Sequence, residues 1–292
     1  MDMGPSRERS IDGRGMSDIW MYWENKPGSQ GMPPFAQLCV ESVRRNAAGA
    51  RVHLLDQHSV REHLPDLRPE WDCLAKLAHK ADYVRTRLVL LHGGLWLDCD
   101  MVALHPLDRL LELPPEHDFA CQDLASAIGC FAARPGCQLL HELTAAQDAV
   151  LDRSPNDFGW NGIGNDLLAQ IGKNHRCHLW PKWTVDEVAG GKVTKLLASQ
   201  ETPENNVDAN AVVFHFCGNL LSPLLNTYAP HRKERLLNQC MLMSRILRRG
   251  LVIPEPPAWQ QSLDFARLQD WGAGAVRRLH RLRGHLSGRG SN

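Results

Sequence analysis

No run in this 292-residue chain is apolar for long enough to cross a membrane, and the N-terminus lacks the apolar stretch of a signal peptide. A cytoplasmic location is therefore expected. Net charge is also missing, because 33 lysines and arginines balance 33 aspartates and glutamates. The molecule as a whole has no field to draw it to nucleic acid, and no nucleic-acid partner is expected. The nine cysteines are an odd count and include no C-x-x-C pair. Several stand in apolar surroundings (Cys39, Cys99, Cys130, Cys217), where a reduced thiol acts as a small hydrophobe. His175, Cys177 and His178 lie too close together in sequence to close a tetrahedral zinc site unaided. Internal repeats are absent too. What remains suits one large α/β domain, or a domain with an appendage, able to bury a substantial core.

Residues 1–17 are polar, charged and Gly-rich without periodicity, and are expected to be disordered. Order is expected from "DIWMYWEN", a short aromatic strand. A helix over "PPFAQLCVESVRRNA" and a second strand over "ARVHLLD" follow, which implies a right-handed crossover and a parallel pair. The segment "WDCLAKLAHKADYVRTRLVLLHGG" places Leu77, Ala81, Val84, Leu88 and Leu91 on one helical stripe, ended by Gly93 and Gly94. The run "LWLDCDMVAL" reads as the next strand. "DFACQ" and "AIGCFAAR" read as strands, "GCQLLHELTAAQDAV" as a helix, and "WNGIGNDLLAQIG" as a turn into a short helix. "AVVFHFC" reads as a late strand and "HRKERLLNQCMLMSRILRR" as a basic amphipathic helix. The expected division is 18–230 for the main domain and 231–292 for a helical extension ending in an arginine-rich tail.

The run "LWLDCDMVAL" poses the chemical question, because it carries two carboxylates in a sequence that otherwise reads as buried. Alternation along a strand would project Asp98 and Asp100 together, with Leu97, Cys99 and Met101 on the other face. Two like charges side by side are costly to desolvate, and a hard divalent cation between them relieves the repulsion. Magnesium or manganese takes oxygen ligands and keeps positions open for phosphate. The C-terminal end of a parallel strand is also where open α/β sheets place their ligands. A D-x-D-x-V run after apolar residues also opens the haloacid-dehalogenase phosphatases, in which Asp98 would be a nucleophile. That motif belongs on a first strand with an acidic element downstream, and neither condition holds here.

Asp82 and Arg85 stand three apart on the preceding helix. By spacing alone they read as an exposed ion pair worth a few tenths of a kcal/mol. The whole segment "KADYVRTRLVLLHGGLWLDCDMVALHPLD" nevertheless resembles the signature of the DXD-containing glycosyltransferases of family 32. "IWMYWEN", "FAQLCVESVRRN" and "VHLLD" resemble the bacterial capsular polysaccharide synthesis branch of that group. The resemblance covers Asp18 to Asp108 and loosens beyond it. It implies a glycosyltransferase-A fold (α/β, Rossmann-like, one nucleotide-sugar-binding domain) with the helical extension appended. It also implies a nucleotide-sugar donor, a glycan or lipid-linked acceptor, Mn2+ or Mg2+, and retention of configuration. Carried over by position, Asp82 would hold donor hydroxyls and Arg85 would contact the diphosphate or sugar. Asp98 would touch the ribose and the metal's shell, and Asp100 would bind the metal. Trp23, or less favourably Trp20, would stack on the base. Without the resemblance, both tryptophans read as core packing.

Beyond Asp108 the signals are weaker. "FGWNGIGNDLL" resembles the family's Gly-containing turn before a helix, with Ile163 where proline is frequent. Asn161 and Asp166 are the candidates for sugar or acceptor contact, and Asn161 equally suits a helix cap. His215 in an apolar strand reads as a core histidine, whereas the resemblance makes it a third metal ligand. The tail beyond Gly272 carries five arginines and no acid, which fits a solvated helix or one resting on an anionic membrane. A catalytically silent sugar-binding protein of the same fold is the alternative from another class.

Overall fold

The computed structural model describes residues 16–25, 28, 31–153, 158–188, 195–218 and 232–259. The expected disorder of residues 1–15 and the arginine-rich tail lie outside the described residues. Met16 and Ser17 are placed: Met16 packs against the core, and the Ser17 carbonyl accepts a hydrogen bond from the Arg51 N–H at 2.7 Å.

A six-stranded sheet of order β2-β1-β3-β6-β5-β7 organises the chain. Its strands are β1 (Asp18–Tyr22), β2 (Arg51–Leu55), β3 (Gly94–Leu97), β5 (Phe119–Cys121), β6 (Cys130–Ala133) and β7 (His178–Leu179). A second sheet of order β4-β9-β8 contains β4 (Met101–Ala103), β8 (Val185–Glu187) and β9 (Val213–His215). The crossover through α1 (Pro34–Arg45) makes β1 and β2 parallel, and β3 joins β1 in parallel as well. β6 then runs antiparallel to β3, so the sheet is mixed.

Period-two alternation in β1 explains why both faces of the large sheet are covered. Ile19 and Met21 enter one apolar cluster with Val40 and Val43 of α1. Trp20 and Tyr22 enter the opposite cluster with Val84 and Leu88 of α2 (Leu77–His92) and Leu140 of α3 (Gln138–Arg153). α2 starts six residues later than expected: Trp71 lies in a 3-10 turn, its ring buried and its Nε1–H donating to the Lys80 carbonyl. The stripe is also wider than expected. Residues 81–86 of α2 are all buried, whereas Leu91 is 57% exposed. The helix is wedged between the sheet and α3, so its charged positions go inward along with the apolar ones.

Two other expectations change. The strand expected over residues 95–104 is two strands in two sheets, because the chain turns at Asp98–Asp100, with the Met101 N–H bonded to the Asp98 carbonyl at 3.1 Å. The C-terminal helix is also broken, into a one-turn segment (Lys233–Leu237) and α5 (Leu242–Leu251). Ser244 Oγ closes the break on the Leu236 carbonyl at 2.6 Å. These helices share one cluster with Phe35 and Leu38 of α1, Val102 of β4 and Phe214 of β9. The described part of the expected extension, residues 232–259, thus shares its apolar cluster with α1, β4 and β9.

Candidate functional site

α2 ends at Gly93, whose φ of 69° suits glycine and whose N–H bonds to the Val89 carbonyl at 2.8 Å. Gly94 follows at φ 112°, and a Cβ there would stand 2.4 Å from the Asp18 carbonyl oxygen of β1. The two glycines thus let β3 enter the sheet tight against β1. Leu97 ends β3, and Asp98 leaves the sheet with its N–H still bonded to the Gly129 carbonyl at 3.0 Å. The aspartates flank a turn at the junction of the two sheets. They do not alternate along one strand, so the basis on which they were expected to converge is corrected. Cys99 between them points away, its sulfur donating to the Tyr22 carbonyl at 3.3 Å. Burial holds that thiol well above its ordinary pKa.

Asp98 is held from below. Its Oδ1 accepts from Trp96 Nε1 at 2.8 Å and pairs with Arg85 at 3.0 Å. The same Arg85 nitrogen lies 3.2 Å from Asp82 Oδ1. Arg85 NH1 donates to the Ile128 carbonyl at 2.5 Å, and Nε donates to the Ala81 carbonyl at 3.2 Å. With its side chain 3% exposed and a protein partner at each nitrogen, Arg85 does not face a cleft. This corrects two readings, the exposed ion pair and direct contact with a diphosphate. Arg85 is the counter-charge beneath two carboxylates.

Three glycines make the close packing possible. A Cβ on Gly164 would stand 2.7 Å from Asp82 Oδ2, one on Gly129 2.8 Å from Asp98 Oδ2, and one on Gly218 3.0 Å from Asp100 Oδ2. Each acid lies against bare backbone, where any side chain would displace it. Burial raises Asp82 to a pKa of about 6 despite Arg85. Burial also raises Asp98, which Arg85 only partly offsets and Asp100 reinforces. Asp100 goes the other way. Burial alone would raise it, but His215 and the Gly218 N–H, which donates to Oδ2 at 2.5 Å, bring it below the ordinary range.

β9 brings His215 to this turn through its antiparallel pairing with β4, opposite Met101. His215 Nε2 lies 3.4 Å from Asp100 Oδ1, yet that oxygen is buried without a hydrogen bond. Burial would lower the imidazole pKa, but the Asp100 carboxylate outweighs it and the ring is held well above its ordinary value. An orphaned carboxylate oxygen facing an imidazole nitrogen suits a divalent cation, and Asp98 stands two residues away, although its carboxylate does not close within 4.8 Å of both other groups. A cleft of about 540 Å³ reaches this point, lined among others by Met101, Gln122, Ser126, Cys130, Lys182 and His215.

The other expected residues divide. Trp20 is 2% exposed, stacks on His53 at 4.2 Å and donates through Nε1 to the Gly93 carbonyl at 2.8 Å. Its ring is covered, so base stacking by Trp20 is excluded. Trp23 is half-buried at the end of β1, with Nε1 donating to Asn25 Oδ1 at 3.0 Å. Asn161 is exposed, and its backbone carbonyl accepts from Gly164 at 3.0 Å and Asp166 at 3.1 Å. It ties the turn before α4 (Asn165–Gly172) through its backbone, and the N-cap residue is Gly164. Asp166 is exposed in the first turn of that helix.

Sequence reasoning missed Asn165 and Gln147. Asn165 Oδ1 accepts from the Ile128 N–H at 3.0 Å, which steadies the carbonyl that Arg85 uses. Gln147 on α3 donates to the carbonyls of both Asp82 and Ile163 at 2.9 Å. Neither has a local signal, since their partners stand 37 and 65 residues away.

Fold and site together define an α/β protein with an acidic turn at the exit of a central strand, backed by a buried arginine and faced by a histidine. Residues 5–126 match the family model described as capsular polysaccharide synthesis protein, a span that contains Asp82, Arg85, Asp98 and Asp100 but not His215. No curated protein matches the chain. Among solved structures the chain is similar to the apo form of the glycosyltransferase GlyE of Streptococcus pneumoniae TIGR4, at 12% identity and a TM-score of 0.48, covering 89% of this chain and 64% of that one. It thus spans less than two thirds of GlyE. It is similar also to an active-site mutant of LgtC, at 12% identity and a TM-score of 0.44, covering 82% of this chain and 97% of that one. Mouse xyloside xylosyltransferase 1 follows at 11% identity and a TM-score of 0.41, covering 69% of this chain and 98% of that one. These are distant likenesses, and the reading of the site rests on its own residues.

Proposed function

We propose that the protein is a glycosyltransferase of surface or capsular polysaccharide synthesis, moving a sugar from a nucleotide diphosphate sugar to a hydroxyl of a glycan or lipid-linked acceptor. The observation that carries this reading is the orphaned Asp100 Oδ1 facing His215 Nε2 beside an open cleft. A divalent cation such as Mn2+ or Mg2+, held by Asp100, Asp98 and His215, supplies positive charge against the departing diphosphate.

The chain's own residues do the rest. Arg85 keeps Asp82 and Asp98 from repelling each other and fixes their orientation. Asp82 accepts from a donor-sugar hydroxyl, its raised pKa leaving it ionised only near neutral pH and above. Trp23 offers a ring for the base, and Asn161 and Asp166 lie exposed on the acceptor side of the reading. Transfer with retention needs no nucleophile from the protein: the acceptor hydroxyl enters on the face the diphosphate leaves, and a phosphate oxygen takes its proton. The work takes place in the cytoplasm at the inner face of the membrane, where the basic tail meets anionic lipid. Among the described residues no helix is long and apolar enough to cross a membrane.

Phosphatase chemistry would need Asp98 free to attack phosphorus. Its Oδ1 is instead held by Trp96 and Arg85, which leaves only Oδ2 for a ligand. The test is a panel of nucleotide sugars with Mn2+, read by thermal shift and by donor hydrolysis. A bound donor at a hundred times its Kd stabilises by about 2.7 kcal/mol. No shift with any donor would refute the assignment, and phosphate released from a simple monoester would favour the phosphatase. His215→Ala with unchanged Mn2+ affinity would remove His215 from the site.

A further inference from the structure

His215 has two ring nitrogens, and the cation reading uses only Nε2. Nδ1 faces the opposite way, 3.7 Å from Cys217 Sγ. Glu187 is the parallel register partner of His215 on β8. One ligand atom from each of Glu187, His215 and Cys217 lies within 4.8 Å of the others. We propose that Glu187, His215 Nδ1 and Cys217 Sγ form a second, thiolate-containing site for a zinc-class ion, with three protein ligands and an open fourth position on the cleft.

Backbone geometry brings the three together. His215 ends β9, Cys217 follows two residues on with its sulfur turned back to 3.7 Å from Nδ1, and cross-strand pairing places Glu187 beside His215. Cys217 holds a left-handed backbone at φ 51°, a conformation uncommon for a residue with a Cβ and found where surrounding structure imposes it. The distances suit tetrahedral zinc. Zn–S near 2.3 Å and Zn–N near 2.0–2.1 Å put sulfur and nitrogen about 3.6 Å apart. The observed separation is 3.7 Å. Glu187 is exposed and lines the cleft with His215, which leaves its carboxylate free to close on the ion and the fourth position open to water or ligand.

The far side of the ring supplies a second, independent match. A zinc-bound histidine almost always donates its other N–H to a carboxylate, a backbone carbonyl or water, which fixes ring and tautomer. His215 Nε2 stands 3.4 Å from Asp100 Oδ1, whose buried oxygen has no other hydrogen bond. With zinc on Nδ1, Nε2–H donates to Asp100. The Cys217 thiol proton and one imidazolium proton leave to solvent as the ion enters. This arrangement takes His215 from the other cation: a nitrogen that donates a proton to Asp100 is not a ligand. A thiophilic ion at Cys217 therefore opposes Mn2+ at Asp98 and Asp100. The site itself does not depend on the transferase reading.

The test titrates Co2+ alone into the reduced full-length chain, because cobalt reports thiolate ligation by a charge-transfer absorption. One equivalent is expected to give the band in the wild type. Cys217→Ser is expected to abolish it with Mn2+ affinity unchanged, whereas Cys73→Ser, which removes an exposed thiol elsewhere, is expected to leave it intact. Asp100→Asn is expected to keep the band but weaken Zn2+ binding by about 10–100-fold, as loss of an outer carboxylate does. Glu187→Gln, at an exposed position that tolerates change, is expected to weaken Zn2+ binding while leaving the melting temperature as it was. Absence of the band in the wild type, or its persistence in Cys217→Ser, would overturn the proposal.

Discussion

Asp82 carries a measurable liability. Its carboxyl is 9% exposed, packed against Gly164 and paired with an Arg85 that it shares with Asp98. Burial lifts its pKa from an ordinary 3.8 to about 6. Below pH 3.8 the group is protonated in both folded and unfolded chains and contributes no difference. As pH rises through the interval, the unfolded chain releases this proton first and the folded chain still holds it. Stability therefore falls with rising pH, and the loss is complete above about pH 6. At 1.36 kcal/mol per pH unit, the interval amounts to about 3 kcal/mol. Asp82→Asn removes the dependence. In urea the variant is expected to match the wild type near pH 4 and to exceed it by up to about 3 kcal/mol at pH 7.5, a midpoint shift of roughly 1 M for a slope near 3 kcal/mol per molar. The difference between the two proteins isolates this group, since other titrations cancel. A gap that stays constant from pH 4 to 7.5 would refute the buried, raised carboxyl. The stabler variant is also expected to lose donor turnover, which would mark the acid as retained for function at the expense of the fold.

Three other outcomes follow from the same geometry. Arg85→Ala leaves Asp82 and Asp98 buried without their shared cation and is expected to destabilise by about 3–5 kcal/mol in denaturant unfolding; a loss below 1 kcal/mol would show the arginine to be peripheral. Gly164→Ala drives a methyl to 2.7 Å from Asp82 Oδ2 and is expected to cost about 1–3 kcal/mol, with donor affinity falling at the same time; unchanged unfolding and binding would mean the carboxyl can move aside. His215 is held protonated by Asp100 and must give up its proton to ligate through Nε2, so Mn2+ affinity measured calorimetrically is expected to rise about 100-fold from pH 6 to 8. His215→Gln should flatten that dependence, and an equal slope in both proteins would show that the proton comes from elsewhere.

Local pattern carried much of the architecture. Aromatic content in "DIWMY" and proline ahead of "FAQLCVESVRR" placed β1 and α1, and the Gly93–Gly94 pair placed the entry to β3. The acidic residues were visible for the same reason: carboxylates within apolar sequence stand out by their desolvation cost. How they are arranged was not visible. Period-two reasoning carried one strand through Asp98 and Asp100, because nothing local marks the change of sheet, which is dictated by pairing with β9 more than 110 residues later. The same blindness affected Trp20, whose stacking partner His53 comes from the neighbouring strand, and Cys217, which reads as a small hydrophobe until β8 and β9 place Glu187 and His215 beside it.

The order of most strands and helices and the presence of the acidic pair were thus determined by the chain's own local chemistry. Propensity, periodicity and spacing act over a few residues. Which charges face each other was decided by the tertiary structure alone: Arg85 beneath two acids, and His215 between Asp100 and Cys217. Electrostatic energy depends on distance in space and on burial, and both come from contacts between segments remote in sequence.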